Sequence, residues 1–337
     1  MASLLSILLA CTTFLLEGPS FRVVGKSYDW DMGQGLVMVN KRGMAKQALP
    51  MVKGDKPARW VSKYASVTFN QYGRELPNGG MNDQGLVVEV MWLDASKYPP
   101  PDARPTVNEL QWVQHQLDNH ATVAEVVAAA QALRVSLVHG KVHYLACDKS
   151  GACAALENLD GQMRVASGPG LPVPVLTNNT YADSLAYLKS QGSQAPSGGG
   201  SLQRFARAAA EVRAGAAGGD PVAAAFRVLD SVSAGPSSQW NIVYDPVALK
   251  VHFRTFANKK IKSLALSSFD PSCASAVRLL DIDADAGGDV TARFADYSDD
   301  ANRALVEKSL KKIARQLPPG AMDALVKYPA ALSCTAR

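Results

Sequence analysis

The first third of the chain alternates short apolar runs with turn residues, a pattern that predicts β-strands. The runs are CTTFLLE, FRVVGKSYDW, GLVMVNKRG, SVTFNQYG and GLVVEVMWL. They are rich in β-branched and aromatic residues and are separated by Gly, Pro, Ser or Gln. The last run is nearly continuous apolar, as expected of a strand covered on both faces. We therefore expect the N-terminal third to build a sheet.

Helical patterns begin after the proline-rich segment 98–105, whose prolines are incompatible with a helix or a central strand. Thr106 and Glu109 have the spacing of a capping box. They predict a helix that starts at Thr106 and covers TVNELQWVQHQLDNH. A second helix, TVAEVVAAAQALR, is predicted to follow it. Strands are then predicted at VHYLAC, ACAALEN and QMRVAS, and a strand running into a helix in VPVLTNNTYADSLAYLKS.

The last part of the chain follows a Gly/Ser-rich loop at 191–201. It predicts two helices (LQRFARAAAEVRAG, PVAAAFRVLDSV), three strands (QWNIVYD, LKVHFRTF, KIKSLAL) and a closing amphipathic helix, ANRALVEKSLKKIARQL. The predicted elements follow the order strands, helices, strands, helices, strands and a helix. This order predicts an α+β fold with antiparallel sheets packed between helix layers. We expect residues 11–337 to form one domain.

Composition narrows the classes of partner. Of the 337 residues 47% are hydrophobic and 19% are charged, which is typical of a globular chain with a large core. The net charge is only +5 and the basic residues are scattered among acidic ones, which argues against a nucleic-acid partner. No internal run approaches about 18 apolar residues, so we expect no stable membrane insertion.

The first 16 residues carry no charged side chain, and Glu17 is the first. Residues 4–10 are similar to the apolar region of a signal peptide, with the small Ala10 at the cleavage position, although no Lys or Arg precedes them. We expect residues 1–10 to be removed as a signal or pro-segment and the protein to be periplasmic or secreted. Signal peptidase, self-cleavage and a mis-chosen start codon are all compatible with their removal.

Five cysteines are present: Cys11, Cys147, Cys153, Cys273 and Cys334. Apart from Cys11 they are an even four, which an oxidising compartment would pair; four buried free thiols in a cytosolic protein are the alternative. Cys147 and Cys153 flank DKSGA, which predicts a tight turn and a local disulfide. Neither this spacing nor the scattered histidines form a four-ligand zinc pattern, so we expect no metal or other cofactor.

Cys11 acquires a distinct chemistry if it becomes the first residue of the mature chain. Its thiol and its own α-amine then lie within a few ångströms of each other, and the amine, with a pKa of about 7.7–8.0, is partly neutral near pH 7. One residue thus supplies both a nucleophile and a base. Before processing, the nitrogen is an amide without a basic lone pair, and the site is expected to be inactive.

Such a site needs a carboxylate to orient the amine and a cation to favour the thiolate. VGKSYDW offers Lys26 and Asp29 on a strand able to pair with the Cys11 strand. In a regular strand these two side chains point to opposite faces, so a bulge or a strand end is required to bring both to Cys11.

Five segments carry a family resemblance: CTTF, GKSYDW, GGMNDQGLVVEVMWL, PVLTNNTYADSL and LQRFARAA. In this order they make the chain resemble the choloylglycine hydrolase and penicillin V acylase family, which are cysteine members of the N-terminal nucleophile hydrolases. The resemblance implies a four-layer αββα sandwich with two antiparallel sheets between helix layers. It also implies a homotetramer, the common assembly of the family.

The resemblance assigns roles to residues at matching positions. Cys11 is the implied nucleophile and Asp29 holds its freed amine. The Asn178 side-chain amide and the Trp92 backbone N–H are the implied oxyanion donors, and Arg204 completes the polar network. Alternatives are a helix-capping role for Asn178, a core aromatic role for Trp92 and a surface charge for Arg204.

Lys26 departs from the family pattern, which usually has Arg at this position. Lysine keeps the positive charge but lacks the planar fork of a guanidinium. Trp30 and Trp92 are expected to form an apolar wall that suits an aryl or acyl chain.

The expected activity is hydrolysis of a linear amide in a small N-acyl substrate through a thioester on Cys11. The substrate classes of the family are penicillin V, N-acyl homoserine lactones and conjugated bile salts, of which we expect the first two. Two alternatives remain: a non-catalytic secreted lipoprotein lipidated at Cys11, since LLAC also resembles a lipobox, and an acyltransferase of the same fold.

Overall fold

The computed structural model describes residues 10–49, 52–136, 140–191, 197–216, 219–314, 317 and 319–335. Of the segment expected to be removed, residues 1–9 lie outside the described residues.

The strands, in chain order, are β1 Thr12–Gly18, β2 Phe21–Asp29, β3 Leu36–Asn40, β4 Met44–Gln47, β5 Arg59–Val61, β6 Ser66–Asn70, β7 Pro77–Asn82, β8 Val87–Trp92, β9 Thr106–Asn108, β10 Arg134–Ser136, β11 Val142–Cys147, β12 Cys153–Leu159, β13 Gln162–Ser167, β14 Val175–Leu176, β15 Ser238–Asp245, β16 Lys250–Thr255, β17 Lys262–Ala265, β18 Arg278–Asp281, β19 Gly288–Asp289, β20 Ala295–Asp296 and β21 Ser333–Cys334. The helices are α1 Glu109–Asn119, α2 Val123–Ala129, α3 Tyr181–Gln191, α4 Ser201–Ala214, α5 Pro221–Ser231, α6 Asp299–Leu310 and α7 Ala321–Lys327.

Two large sheets organise the described part of the chain. The seven-stranded sheet has the order β14-β1-β2-β15-β16-β17-β19, and the nine-stranded sheet has the order β13-β12-β11-β8-β7-β6-β3-β18-β20. Within these two sheets, as far as the chain is described, only β17 and β19 pair in parallel. Smaller sheets are formed by β9 with β10 and by β21, β4 and β5.

Helices cover the outer faces of both large sheets. Helices α4 and α5 pack on β1, β2 and β15, whereas α1 and α2 pack on β7, β8, β11 and β12. The inner faces meet each other, for example where the Phe69 ring contacts the rings of Tyr244 and Phe253 edge to face, at 6.1 and 5.5 Å between centroids. The predicted α+β class, with antiparallel sheets between helix layers, is confirmed.

Most predicted elements are present, with three corrections at helix ends. The helix predicted for TVAEVVAAAQALR ends at Ala129, and Arg134, the last residue of that run, lies in β10. Thr106 does not start the first helix, because Thr106–Asn108 is a strand that pairs in parallel with β10. The cap of α1 is Asn108, whose side chain accepts hydrogen bonds from the amides of Leu110 and Gln111. The closing helix ends at Leu310 and not near residue 317, and α7 follows it.

Strands in the middle of this sandwich are covered on both faces, and their polar residues are therefore buried. Residues Val23–Asp29 of β2 are all buried, as are Val87–Met91 of β8, in agreement with the apolar run predicted there. A buried charge must find partners inside the protein. Lys26, Asp29 and Glu89 are each at most 1% exposed, so the search for partners leads directly to the site.

The four cysteines other than Cys11 form two disulfides. Cys147 joins Cys153 across the turn between β11 and β12, as predicted, and Cys273 joins Cys334. Cys11 remains a free, buried thiol. No helix among the described residues is long and apolar enough to cross a bilayer.

Candidate active site

Strand register places the start of β1 between two other chain segments. β1 pairs antiparallel with β2 with Thr12 opposite Ser27, so Cys11 faces the end of β2. On its other side β1 pairs with β14, with Thr13 opposite Leu176. Extending this antiparallel register by two residues places Asn178 opposite Cys11. The Cys11 thiol lies 3.9 Å from the Asp29 carbonyl oxygen.

Asp29 is the last residue of β2 and lies opposite an irregularity in β15, where the register shifts between Ser238 and Trp240. The structure thus supplies the strand end and the bulge that Asp29 requires. The Ser27 hydroxyl donates to Oδ1 at 2.6 Å, whereas Oδ2 is buried and accepts no hydrogen bond of normal geometry from the described residues. Burial raises the pKa of Asp29, and the hydroxyls of Ser238 and Ser27 and the cations Arg204 and Lys26 oppose this rise.

Arg204 lies in the first turn of α4 and is 1% exposed, so it is not a surface charge. Its guanidinium donates to the oxygens of Gly199 (3.2 Å), Ala10 (2.9 Å), Cys11 (2.7 Å), Thr12 Oγ1 (2.8 Å) and Asn178 Oδ1 (2.8 Å). A single side chain therefore binds the backbone on both sides of the Ala10–Cys11 bond and the side chain of Asn178.

The bond from Arg204 fixes the orientation of the Asn178 amide. Because a guanidinium only donates, it must face Oδ1, which turns Nδ2 toward the Trp92 carbonyl at 2.9 Å. One Nδ2 proton remains for another acceptor. Asn178 does not cap α3, since the Thr180 hydroxyl accepts from the Asp183 amide in that place.

The backbone amide and carbonyl of Trp92 are both directed to the side on which the Asn178 side chain lies. The Leu93 amide donates to Lys141 O at 2.8 Å, so the amide and carbonyl of Trp92 point away from β11. The pairing of β8 with β7 ends at Glu89, which leaves this edge of β8 unpaired at Trp92. The Trp92 amide is thus directed to the same side as the carbonyl that Asn178 binds.

Lys26 reaches the site from the inner face of the seven-stranded sheet. It is paired with Thr13, whose hydroxyl contacts Met91 Sδ on the other sheet at 2.9 Å. Burial raises the pKa of the Cys11 thiol, and the positive charges of Lys26 and Arg204 lower it.

A cavity of about 360 Å³ opens at Cys11. Its wall near the thiol is aromatic: Trp30 and Trp92 lie with ring centroids 5.9 Å apart and planes at 44°. The remaining wall is largely apolar and includes Tyr28, Tyr72, Leu76, Val90, Met91, Leu110, Val142, Leu310, Ile313, Leu317 and Leu325. A cavity of this size and lining suits one apolar group of small-molecule size.

Comparisons with known proteins agree with the geometry. A penicillin V acylase from Agrobacterium tumefaciens superimposes with a TM-score of 0.76 at 28% identity, over 86% of this chain and 98% of that one. A penicillin V acylase from Pectobacterium atrosepticum is 28% identical over 209 residues, 56% of this chain and 54% of that protein. The chain thus matches about half the length of this curated relative. No family model matches the chain.

The expected family resemblance is confirmed. Two variants of the conjugated bile acid hydrolase from Clostridium perfringens superimpose with TM-scores of 0.68 and 0.65 at 16% identity, which establishes the shared fold alone. The structure has the N-terminal nucleophile hydrolase sandwich of the penicillin V acylase and choloylglycine hydrolase family. Within this fold, Cys11, Lys26, Asp29, Trp30, Trp92, Asn178 and Arg204, the residues predicted from the sequence, lie around one thiol.

Sequence reasoning missed two residues beside this site, Glu89 and Tyr244. Glu89 lies 3.6 Å from Lys26 and accepts a hydrogen bond from the Tyr244 hydroxyl at 2.6 Å. The sequence carried a signal for Glu89, because it is the one charged residue in the apolar run GLVVEVMWL. A charge in a strand covered on both faces needs a buried partner of opposite charge.

The described residues contain no group of three or more His, Cys, Asp or Glu side chains arranged to hold a metal ion. The acylase-like chemistry considered below uses only the side chains and backbone groups already named.

Proposed function

We propose that this protein hydrolyses linear amide bonds in N-acyl substrates, with Cys11 as the N-terminal nucleophile once residues 1–10 have been removed. The observation that carries the proposal is the convergence of Asp29, Asn178 and Arg204 on Cys11 beside an apolar cavity. The similarity to penicillin V acylases supports an amidohydrolase of this type.

Removal of Ala10 converts the Cys11 amide nitrogen into a free α-amine at the start of β1, facing the end of β2. The buried Asp29 Oδ2, which accepts no hydrogen bond of normal geometry from the described residues, is a suitable acceptor for this amine. The carboxylate then orients the amine toward the thiol, and the amine takes the thiol proton. Lys26 and Arg204 favour the resulting thiolate against the effect of burial.

The oxyanion of the tetrahedral intermediate needs two donors fixed in advance. Asn178 Nδ2 has one proton free, and its direction is set by Arg204 and by the Trp92 carbonyl. The Trp92 amide, on the unpaired edge of β8, is the second donor. Neither group has to reorganise when charge develops on the oxygen.

The reaction follows in two balanced steps. The thiolate adds to the amide carbonyl, the C–N bond breaks, and the protonated α-amine gives its proton to the leaving amine, which leaves a thioester on Cys11. Water then adds to the thioester with the α-amine as base, the C–S bond breaks, and the sulfur recovers a proton as the carboxylic acid is released.

The cavity supports an aryl or aliphatic acyl group. Trp30 and Trp92 offer flat apolar surfaces beside the thiol, and leucines of the C-terminal helical region extend the wall. Phenoxyacetyl amides, such as penicillin V, and N-acyl homoserine lactones are therefore proposed ahead of conjugated bile salts, whose hydrolase shares only the fold at 16% identity.

The proposal extends to where the protein is located in the cell and to its oligomeric state. Two disulfides support an oxidising compartment, and we propose that the protein is periplasmic or secreted. A homotetramer stays a prediction that light scattering or native mass measurement can test.

The lipoprotein alternative fits the site less well. Cys11 is 3% exposed, and its thiol lines the cavity. A diacylglycerol on that sulfur would require Cys11 to leave this buried position, whereas a small acyl group fits in the cavity beside it.

The test is a substrate panel of penicillin V, N-acyl homoserine lactones and a conjugated bile salt, with release of the free amine measured for the wild type and for Cys11→Ser. We expect turnover of at least one of the first two classes by the wild type and a large loss in the variant. Equal turnover by both proteins would refute the proposal. Adding hydroxylamine as a competing acceptor distinguishes acyl transfer from hydrolysis.

A further inference from the structure

Lys26 connects the two sheets at the site. Its Nζ lies 2.5 Å from the Val90 carbonyl oxygen and 3.6 Å from Glu89 Oε2, both on β8 of the opposite sheet. The side chains of Lys26 and Glu89 are each 1% exposed. A buried pair of this kind is held by the protein and not by water, so its geometry depends on what fixes the carboxylate.

Glu89 is fixed from two directions. The Tyr244 hydroxyl donates to Oε1 at 2.6 Å, from the same face of the seven-stranded sheet as Lys26. On β7, a Cβ atom added to Gly79 would lie 2.2 Å from the carboxyl carbon and both oxygens of Glu89. The glycine thus provides the space in which the carboxylate lies, and a side chain at position 79 would displace it.

Position 26 carries a lysine, so this arrangement holds an ammonium and not a guanidinium. A guanidinium is a planar fork with five donors, whereas an ammonium is a point charge on a flexible stem. The ammonium donates a hydrogen bond to the Val90 carbonyl and lies 3.6 Å from the Glu89 carboxylate, which together hold it in place, and its charge acts on the Cys11 thiol.

We propose that Glu89, held by Tyr244 and by the space at Gly79, is a positioning residue that fixes the Lys26 ammonium beside β8 and thereby sets the thiolate fraction of Cys11. The catalytic part of this inference rests on the proposed function; the effect on the thiol does not. None of Lys26, Glu89 and Tyr244 lines the cavity, so none is expected to contact substrate.

The charged neighbours of both groups are accounted for. Cys11 is influenced by Lys26, Asp29 and Arg204 and, in the mature chain, by its own α-amine, which is the same in every variant; Glu89 is influenced by Lys26 and the Tyr244 hydroxyl. Burial raises the pKa of Glu89 to about 7, against the lowering effects of Lys26 and Tyr244. At pH 8 the carboxylate is therefore mostly ionised, and replacing it with an amide leaves the lysine buried without its counter-ion.

A buried ammonium without a counter-ion tends to lose its proton. Glu89→Gln should then remove the cation that favours the Cys11 thiolate, so that the thiol ionises at higher pH. A rise of one unit in the thiol pKa lowers the thiolate fraction near neutral pH about tenfold. Tyr244→Phe should act in the same direction with a smaller effect, because it removes only one support of the carboxylate.

The experiment measures iodoacetamide alkylation of Cys11, the cysteine outside the two disulfides, from pH 5 to 10 in the purified mature protein. We expect the midpoint to rise by about one unit or more in Glu89→Gln. Asp118→Asn is the matched control, because Asp118 is a buried carboxylate 2.8 Å from another lysine, Lys46, and is not among the charges that act on Cys11. Its alkylation midpoint should match that of the wild type.

Steady-state kinetics give the second readout. Glu89→Gln should lower kcat about tenfold with KM unchanged, and Gly79→Ala should reproduce the effect with Glu89 still present. An unchanged or lowered alkylation midpoint in Glu89→Gln overturns the inference; if that variant does not fold, Tyr244→Phe and Gly79→Ala decide in the same way. A shifted midpoint in a protein that hydrolyses no amide would uphold the inference on the thiol and reject the proposed function.

Discussion

Arg204 offers the sharpest test of how the site is held together, through the substitution Arg204→Lys. The guanidinium serves acceptors on different sides of its plane: the Cys11 carbonyl through Nη1 at 2.7 Å and Asn178 Oδ1 through Nη2 at 2.8 Å. Lysine keeps the charge but carries its donors on one atom at the end of a shorter stem. It cannot reach both acceptors in this geometry.

The magnitude follows from the acceptors that lose their donor. Either Cys11 O or Asn178 Oδ1 is left without a partner, and a buried unsatisfied acceptor costs about 1–3 kcal/mol. We therefore expect the free energy of unfolding to fall by about 1–3 kcal/mol. Without its bond to Arg204, the Asn178 amide is free to rotate, and misplacing one oxyanion donor lowers kcat by roughly 10²-fold.

The assay is urea unfolding together with kcat on the best substrate of the panel. Arg207→Lys is the matched control, one turn further along α4, where the guanidinium bonds the carbonyls of Ser231 and Gly198 near the surface. It should change stability by less than about 1 kcal/mol and leave kcat near the wild-type value. If Arg204→Lys behaves like Arg207→Lys in both measurements, the reasoning on Arg204 is wrong.

Three further predictions test the rest of the structure. Replacing Cys273 with Ser opens a disulfide to Cys334 that spans 61 residues, and urea unfolding should show a loss of up to about 4 kcal/mol, whereas an unchanged midpoint would mean that the bond is not formed. Gly25→Ala places a Cβ 2.2 Å from the Phe14 ring and should lower stability by about 1–3 kcal/mol; a stabilised variant would contradict the packing. The pKa of Glu89 is raised from 4.5 to about 7 in the folded protein. Between these two pH values the folded state still holds the Glu89 proton, whereas the unfolded state has released it. The free energy of unfolding should therefore fall by about 3 kcal/mol as pH rises through this window. Glu89→Gln should abolish that fall. If the free energy of unfolding of the two proteins changes with pH in parallel, Glu89 is not its cause.

Much of the fold was accessible from the sequence because most elements are covered on predictable faces. The apolar run around Val87–Met91 predicts a doubly covered strand, and β8 lies between a helix layer and the second sheet. The strands β4, β5 and β21 were not predicted, since they have two to four residues and little apolar periodicity. Strand β21 contains Cys334, whose disulfide to Cys273 ties the strand to the body of the protein.

The error at Thr106 shows how tertiary pairing overrides a local signal. Thr106 and Glu109 have the spacing of a capping box, but residues Thr106–Asn108 gain backbone hydrogen bonds with β10 and stay extended. The helix then begins where Asn108 is able to bind two free amides. Spacing alone does not reveal a parallel partner that lies almost 30 residues away.

The candidate site was predictable only with the family resemblance. Alternation puts Lys26 and Asp29 on opposite faces of β2, and the structure keeps them there: Asp29 shares a face with Ser27, and Lys26 points between the sheets. They meet at Cys11 because it lies at the strand end, beside an irregularity of β15 that no local pattern indicates. Glu89 was missed because its role depends on a contact between the two sheets.

The most direct test of the account is the exact mass of the purified mature protein, determined before any substrate is added. We predict a chain that begins at Cys11 with an unmodified thiol and a free α-amine, and that retains both disulfides. A chain that keeps Ala10 while hydrolysing amides, or one that carries a diacylglycerol on Cys11, would contradict it.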